Sequence, residues 1–73
     1  MQQNLTPGSM WRHKKSGGLY RVVCRALIES NLEPVIVYCA AKEYPPRAGT
    51  RGWTRPEEEF LDGRFEYQQP MAG

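Results

Sequence analysis

The chain has 73 residues, 40% of them apolar and 25% charged, with a formal net charge of +2. That length makes one domain, near the lower limit at which a single core is self-sufficient, and the composition is globular rather than disordered. No apolar run approaches the about 20 residues of a membrane-spanning helix, and the mostly polar start, with Pro7 and Gly8, has no secretory apolar segment.

Residues 1–8 read as a disordered tail, with a turn at Thr6-Pro7-Gly8. Ser9 to Lys15 reads as a first strand, and Ser16-Gly17-Gly18 as the hairpin turn that follows it. Leu19 to Ile28 alternates with period two: Tyr20, Val22, Cys24 and Ala26 on one side, Arg21, Val23 and Arg25 on the other. A loop from Glu29 to Pro34 leads into Val35–Ala41, the most apolar segment, whose β-branched residues suit a central strand.

Lys42 to Arg51 is a long connection in which Pro45 and Pro46 preclude ladder pairing. Trp53-Thr54-Arg55 predicts a short strand. Pro56 then favours a helical first turn, Glu57 to Glu59 place negative charge at its N-terminus, and one turn carries Phe60 and Leu61 onto the core. Asp62-Gly63 is a turn, and Arg64 to Tyr67 a last strand with its aromatics on one side. The folded unit is expected over residues 9–67, with a second disordered tail at 68–73. The fold class is mostly β: a small SH3-like five-stranded barrel with one short helical turn before the last strand. So small a core supplies only roughly 3–5 kcal/mol of net stability, so each core aromatic matters.

The motifs resemble a small domain-of-unknown-function family, number 1653, found in bacteria and phages. The residues that carry the resemblance are Arg12-His13, Gly17 to Val22, Pro34 to Tyr38, and Trp53-Thr54-Arg55-Pro56 with Phe60. Thr54 stands where the family prefers valine, and the connection from Lys42 to Arg51 departs from the pattern. The resemblance implies a compact β fold and a phage or prophage origin. It implies no activity and no catalytic residue.

Several constellations bear on function. Cys24 and Cys39 both fall in apolar strand runs, with His13 the only further candidate ligand and no paired spacing, which makes a poor case for zinc. The reading is two buried, reduced thiols, no metal and no cofactor. Residues 1–28 carry Arg12, Lys14, Lys15, Arg21 and Arg25 and no acid, whereas residues 57–73 carry five acids against Arg64. These halves either neutralise each other across strands or leave a basic face for phosphates. Trp53 and Arg55 share one side of their strand. With Phe60 they form either a ligand platform for phosphate, carboxylate or nucleobase, or a core plug with Arg55 paired to one of Glu57 to Glu59. The flanking Gly52 and Pro56 favour the plug. Arg12 to Lys15 is either a basic patch, extended by Arg47 and Arg51 and interleaved with Trp11, Tyr20 and Tyr44 for base stacking, or a solvated edge strand. His13 lacks a recognisable nucleophile elbow, and no phosphate-loop or metal motif is present.

The function these readings predict is a non-enzymatic, cytoplasmic binding or accessory module of phage or prophage type, monomeric or a weak homodimer. It binds a partner protein or a small anionic ligand through the first hairpin and the 42–51 loop. The competing prediction is a nucleic-acid-binding barrel. Candidate site residues are Arg12, Lys14, Lys15, Arg47, Arg51, Trp53 and Arg55.

Overall fold

Five antiparallel strands form one sheet in the computed structural model, which describes residues 5–69. They are β1 (Met10–His13), β2 (Leu19–Leu27), β3 (Pro34–Ala40), β4 (Trp53–Pro56) and β5 (Phe65–Gln68), in the spatial order β4-β3-β2-β1-β5. A short helix α1 (Glu57–Glu59) and a wide turn (Phe60–Arg64) precede β5, so the mostly β class and the helical turn before the last strand both stand. Of the tails expected at 1–8 and 68–73, residues 1–4 and 70–73 lie outside the described residues, and Gln68 belongs to β5. Leu5, which the sequence reading leaves in a tail, is buried in the core.

One face of the sheet carries Trp11, Val22, Ile36, Tyr38 and Phe65 into that core. Phe60 fills its centre. Pro56 ends β4 by turning the chain into α1, and Phe60 follows with no exposure at all. Its ring stacks on Phe65 at 4.3 Å and meets Trp11 and Tyr38 edge-on at 5.1 and 5.3 Å, the offset and edge geometries aromatic quadrupoles favour. Gly63, at φ 108°, lets the chain leave the wide turn and enter β5.

The alternation in β2 does not survive intact. Val22 faces Tyr38, but Cys24 faces Val37, so Val23 is an extra residue, a β-bulge. A bulge shifts everything beyond it by one position, which sends side chains to the opposite face. Cys24 therefore leaves the core side and is exposed, which overturns its reading as a buried thiol, and Arg25 comes round to meet Glu57 at 2.7 Å. Cys39 is buried.

The expected barrel is a curled sheet whose last seam holds no ladder among the described residues. Strands four spacings apart would lie about 19 Å from each other in a flat sheet. Yet the Arg55 guanidinium of β4 lies 5.5 Å from the ring centre of Phe65 in β5. The outer strands are brought together by side chains, and Glu59 adds to the seam by facing both Arg55 and Arg64 at 3.6 Å.

Candidate functional site

The antiparallel order brings the end of β1, the start of β2, the end of β3 and the starts of β4 and β5 to the same end of the sheet. There the side chains of His13, Tyr20, Tyr38, Trp53, Arg55 and Phe65, drawn from all five strands, line a cavity of about 200 Å³. Register explains the grouping. Tyr38 pairs with both Val22 and Trp53, which places all three on the concave face, and Arg55, two residues on, shares it. Thr54 points the other way, with Val37 and Cys24.

Most of the pocket is fixed in place. Tyr20 meets Tyr38 edge-on at 5.5 Å, Tyr38 meets Phe65 at 5.5 Å, and His13 leans on Phe65 at 4.9 Å. Arg55 donates from Nε to the Tyr38 hydroxyl at 3.4 Å. That hydrogen bond raises the guanidinium pKa above its usual value; partial burial opposes the rise, and Glu59 and Asp62 add to it. Trp53 differs from its neighbours: 42% of it is exposed, and its outer face carries the Arg51 guanidinium at 5.6 Å.

These positions correct several expectations. Trp53 is not a core plug; Phe60 is, and Phe65 takes the place beside Trp53 and Arg55 that Phe60 was expected to hold. The other half of the plug reading stands, since Arg55 faces Glu59. Trp11, named for base stacking, is buried at 6% exposure and unavailable for it. Tyr44 folds beneath the Arg21 guanidinium, 6.0 Å away, and its hydroxyl lies close to Gly8, so it seals the outer face of the sheet rather than offering a free ring.

The basic candidates divide. Arg12 pairs with Glu66 directly across β1 and β5, and Arg25 with Glu57, so two ion pairs tie the basic front of the chain to its acidic end. Lys14 and Lys15 are exposed in the turn that follows His13, next to the pocket. Arg51 reaches the pocket through Trp53, whereas Arg47 does not: it borders a separate shallow hollow formed by residues 42–50. The first hairpin and the end of the long connection thus meet at one place, while the body of that connection packs elsewhere. His13, Tyr20, Tyr38 and Phe65 were missed as a group. Only the register of five strands assembles them, although His13, Tyr20 and Tyr38 each lie in one of the short motifs read in the sequence.

His13 Nδ1 and Ser16 Oγ share a hydrogen bond of 2.9 Å, and the same oxygen accepts from the Gly18 amide at 3.2 Å. These contacts close the hairpin turn. Among the described residues no cluster of three His, Cys, Asp or Glu side chains is placed to hold a metal ion, and no helix is long and apolar enough to cross a membrane.

No family model, no curated protein and no solved structure matches the chain. Five of the six lining residues, His13, Tyr20, Tyr38, Trp53 and Arg55, belong to the motifs that resemble family 1653.

Proposed function

We propose that the chain is a non-enzymatic, cytoplasmic binding module of phage or prophage type, and that its pocket holds a small ligand combining a planar ring with an anionic group. The observation that carries this reading is the half-open Trp53 beside a guanidinium that is held in position before any ligand arrives. A planar ring gains by stacking on the free indole face. An anionic substituent gains charge-assisted hydrogen bonds from Arg55, whose fork of five donors is only partly engaged by Tyr38 and Glu59. A cationic ligand, the usual guest of an aromatic cage, is disfavoured because Arg55 already occupies the face of Phe65.

The test is tryptophan fluorescence with nucleoside monophosphates and aromatic carboxylates, read beside a thermal shift. Quenching that saturates and disappears in Trp53→Phe supports the reading. No response at millimolar concentration from any of these planar anions would sink it.

A protein partner is the second reading, and a different observation favours it. Leu27 and Leu32 are exposed at 60% and 66% around the β2–β3 hairpin tip, with Ile28 beside them, at the end of the sheet opposite the pocket. Pull-down from host lysate with wild type and with Leu27→Ser/Leu32→Ser decides it: a protein retained only by wild type supports docking at this tip.

A further inference from the structure

We infer that the pocket is the anchoring point of a longer site for single-stranded nucleic acid, in which one base enters beside Trp53 and the neighbouring nucleotides lie over the turn between β1 and β2; this rests on the pocket reading above. Three observations lead there.

The first is the distribution of cations left over once the ion pairs are set aside. Arg12, Arg25, Arg55 and Arg64 each face a carboxylate. Lys14, Lys15, Arg21, Lys42, Arg47 and Arg51 face none among the described residues. Arg21 turns to the Gly8 carbonyl and Arg47 to the separate hollow. The other four belong to the segments that meet at the pocket end of the sheet: the β1–β2 turn, the exit of β3 and the entry of β4. Of the acids outside ion pairs, Glu29, Glu33 and Glu58 gather at the opposite end, around the β2–β3 hairpin, the start of β3 and the exit of β4, and Glu43 is the one that follows Lys42 at the exit of β3 among the described residues. The molecule is therefore polarised along its strands, although its net charge is only +2. A polyanion is drawn to one end and repelled from the other.

The second observation is a shallow groove between Gly17–Tyr20 and Ala40–Lys42 that shares Tyr20 with the pocket. Its walls are largely apolar, with Leu19 half exposed and two glycines without side chains, and Lys42 stands at its rim. A flat, apolar surface beside a stacking pocket suits a second base, and the surrounding ammonium groups suit the phosphates between.

The third is the pocket's aromatic lining. A base reaches Trp53 and Tyr20 only when it is out of a helical stack, so a duplex cannot use the site. An acidic peptide satisfies the lysines but brings a ring to the aromatic walls only where an aromatic residue happens to stand, whereas every nucleotide carries ring and phosphate together, which is why nucleic acid fits better than an acidic protein.

The experiment titrates the full chain at 50 and 200 mM salt with a thymidine octamer, a uridine octamer, the thymidine octamer in duplex, polyglutamate, and thymidine and uridine monophosphates. Expected is octamer binding tighter than the monophosphate, weakening roughly 7- to 50-fold over that salt range for two to four phosphate contacts, each adding about 0.7 to the slope of log affinity against log salt. Lys15→Ala and Lys42→Ala should each weaken octamer binding and flatten its salt slope by about 0.7, while Glu58→Gln, at the far end, changes nothing. If both octamers bind no tighter than the monophosphates, the strand site is wrong and the pocket reading stands. If neither octamers nor monophosphates bind, the strand site falls, and the aromatic carboxylates decide the pocket reading. Duplex or polyglutamate binding as tightly as the octamers would reduce the effect to charge alone and overturn the inference.

Discussion

At the scale of single residues, Phe60 takes the core place that its sequence neighbours suggest and Trp53 does not. Phe60 is completely buried and touches three other rings, so Phe60→Ala should cost about 3–5 kcal/mol, most of what a domain of this size has. Chemical denaturation would show a largely unfolded chain in water. Trp53→Ala removes a half-exposed ring and should leave the melting temperature nearly unchanged while abolishing ligand-induced quenching. The cysteines diverge in the same way. Cys24 should react with a thiol reagent in the native protein, and Cys39 only after unfolding, giving one equivalent and then two. Burial, with a smaller contribution from Glu43, raises the Cys39 pKa above its ordinary value of 9.0. The folded state therefore keeps that proton after the unfolded state has lost it. Stability on this account is complete below about pH 9 and declines as pH rises through and beyond that value. Cys39→Ala should abolish that alkaline decline, measured as the unfolding midpoint between pH 8 and pH 10.5.

At the scale of elements, what the sequence revealed and what it concealed have identifiable causes. The strands and the helical turn before β5 are legible because each is written locally, in alternation, in the Gly17-Gly18 turn and in Pro56 followed by three acids. The bulge at Val23 is not, since an extra valine in a strand looks like any other strand residue until its partner strand is known. That single unread residue misplaced Cys24 and hid the Arg25–Glu57 pair. The pocket suffered in the same manner: Trp53 and Arg55 were recognisable as a pair, but their companions come from four other strands. Gly63 provides a test of an element boundary. Its φ of 108° is unfavourable for any residue with a Cβ, although open space surrounds the position. Gly63→Ala should therefore destabilise through the backbone alone, by about 1 kcal/mol, which lowers the melting temperature of a domain this size by roughly 4–8 °C.

At the scale of the whole molecule, charge is arranged along the strand axis rather than from the front of the chain to its back. Neutralisation does occur, through Arg12 with Glu66 and Arg25 with Glu57, but both are solvent-accessible pairs worth little to stability. Replacing Glu66 by Gln should change stability by less than about 1 kcal/mol. Their more visible effect is to remove two arginines from the pool of available cations, which leaves the pocket end the most basic surface.

The unladdered seam between β4 and β5 has a consequence for motion. A closed barrel resists opening with a row of backbone hydrogen bonds, whereas here a guanidinium over a ring and a shared glutamate bear that task. The two outer strands can part without breaking any ladder, so their amides should exchange with deuterium sooner than those of β2 and β3. The pocket straddles this same seam, with Trp53 and Arg55 on one lip and Phe65 on the other. A ligand seated there would act as a clasp, slowing exchange on both lips at once and converting a hinged shell into a closed one.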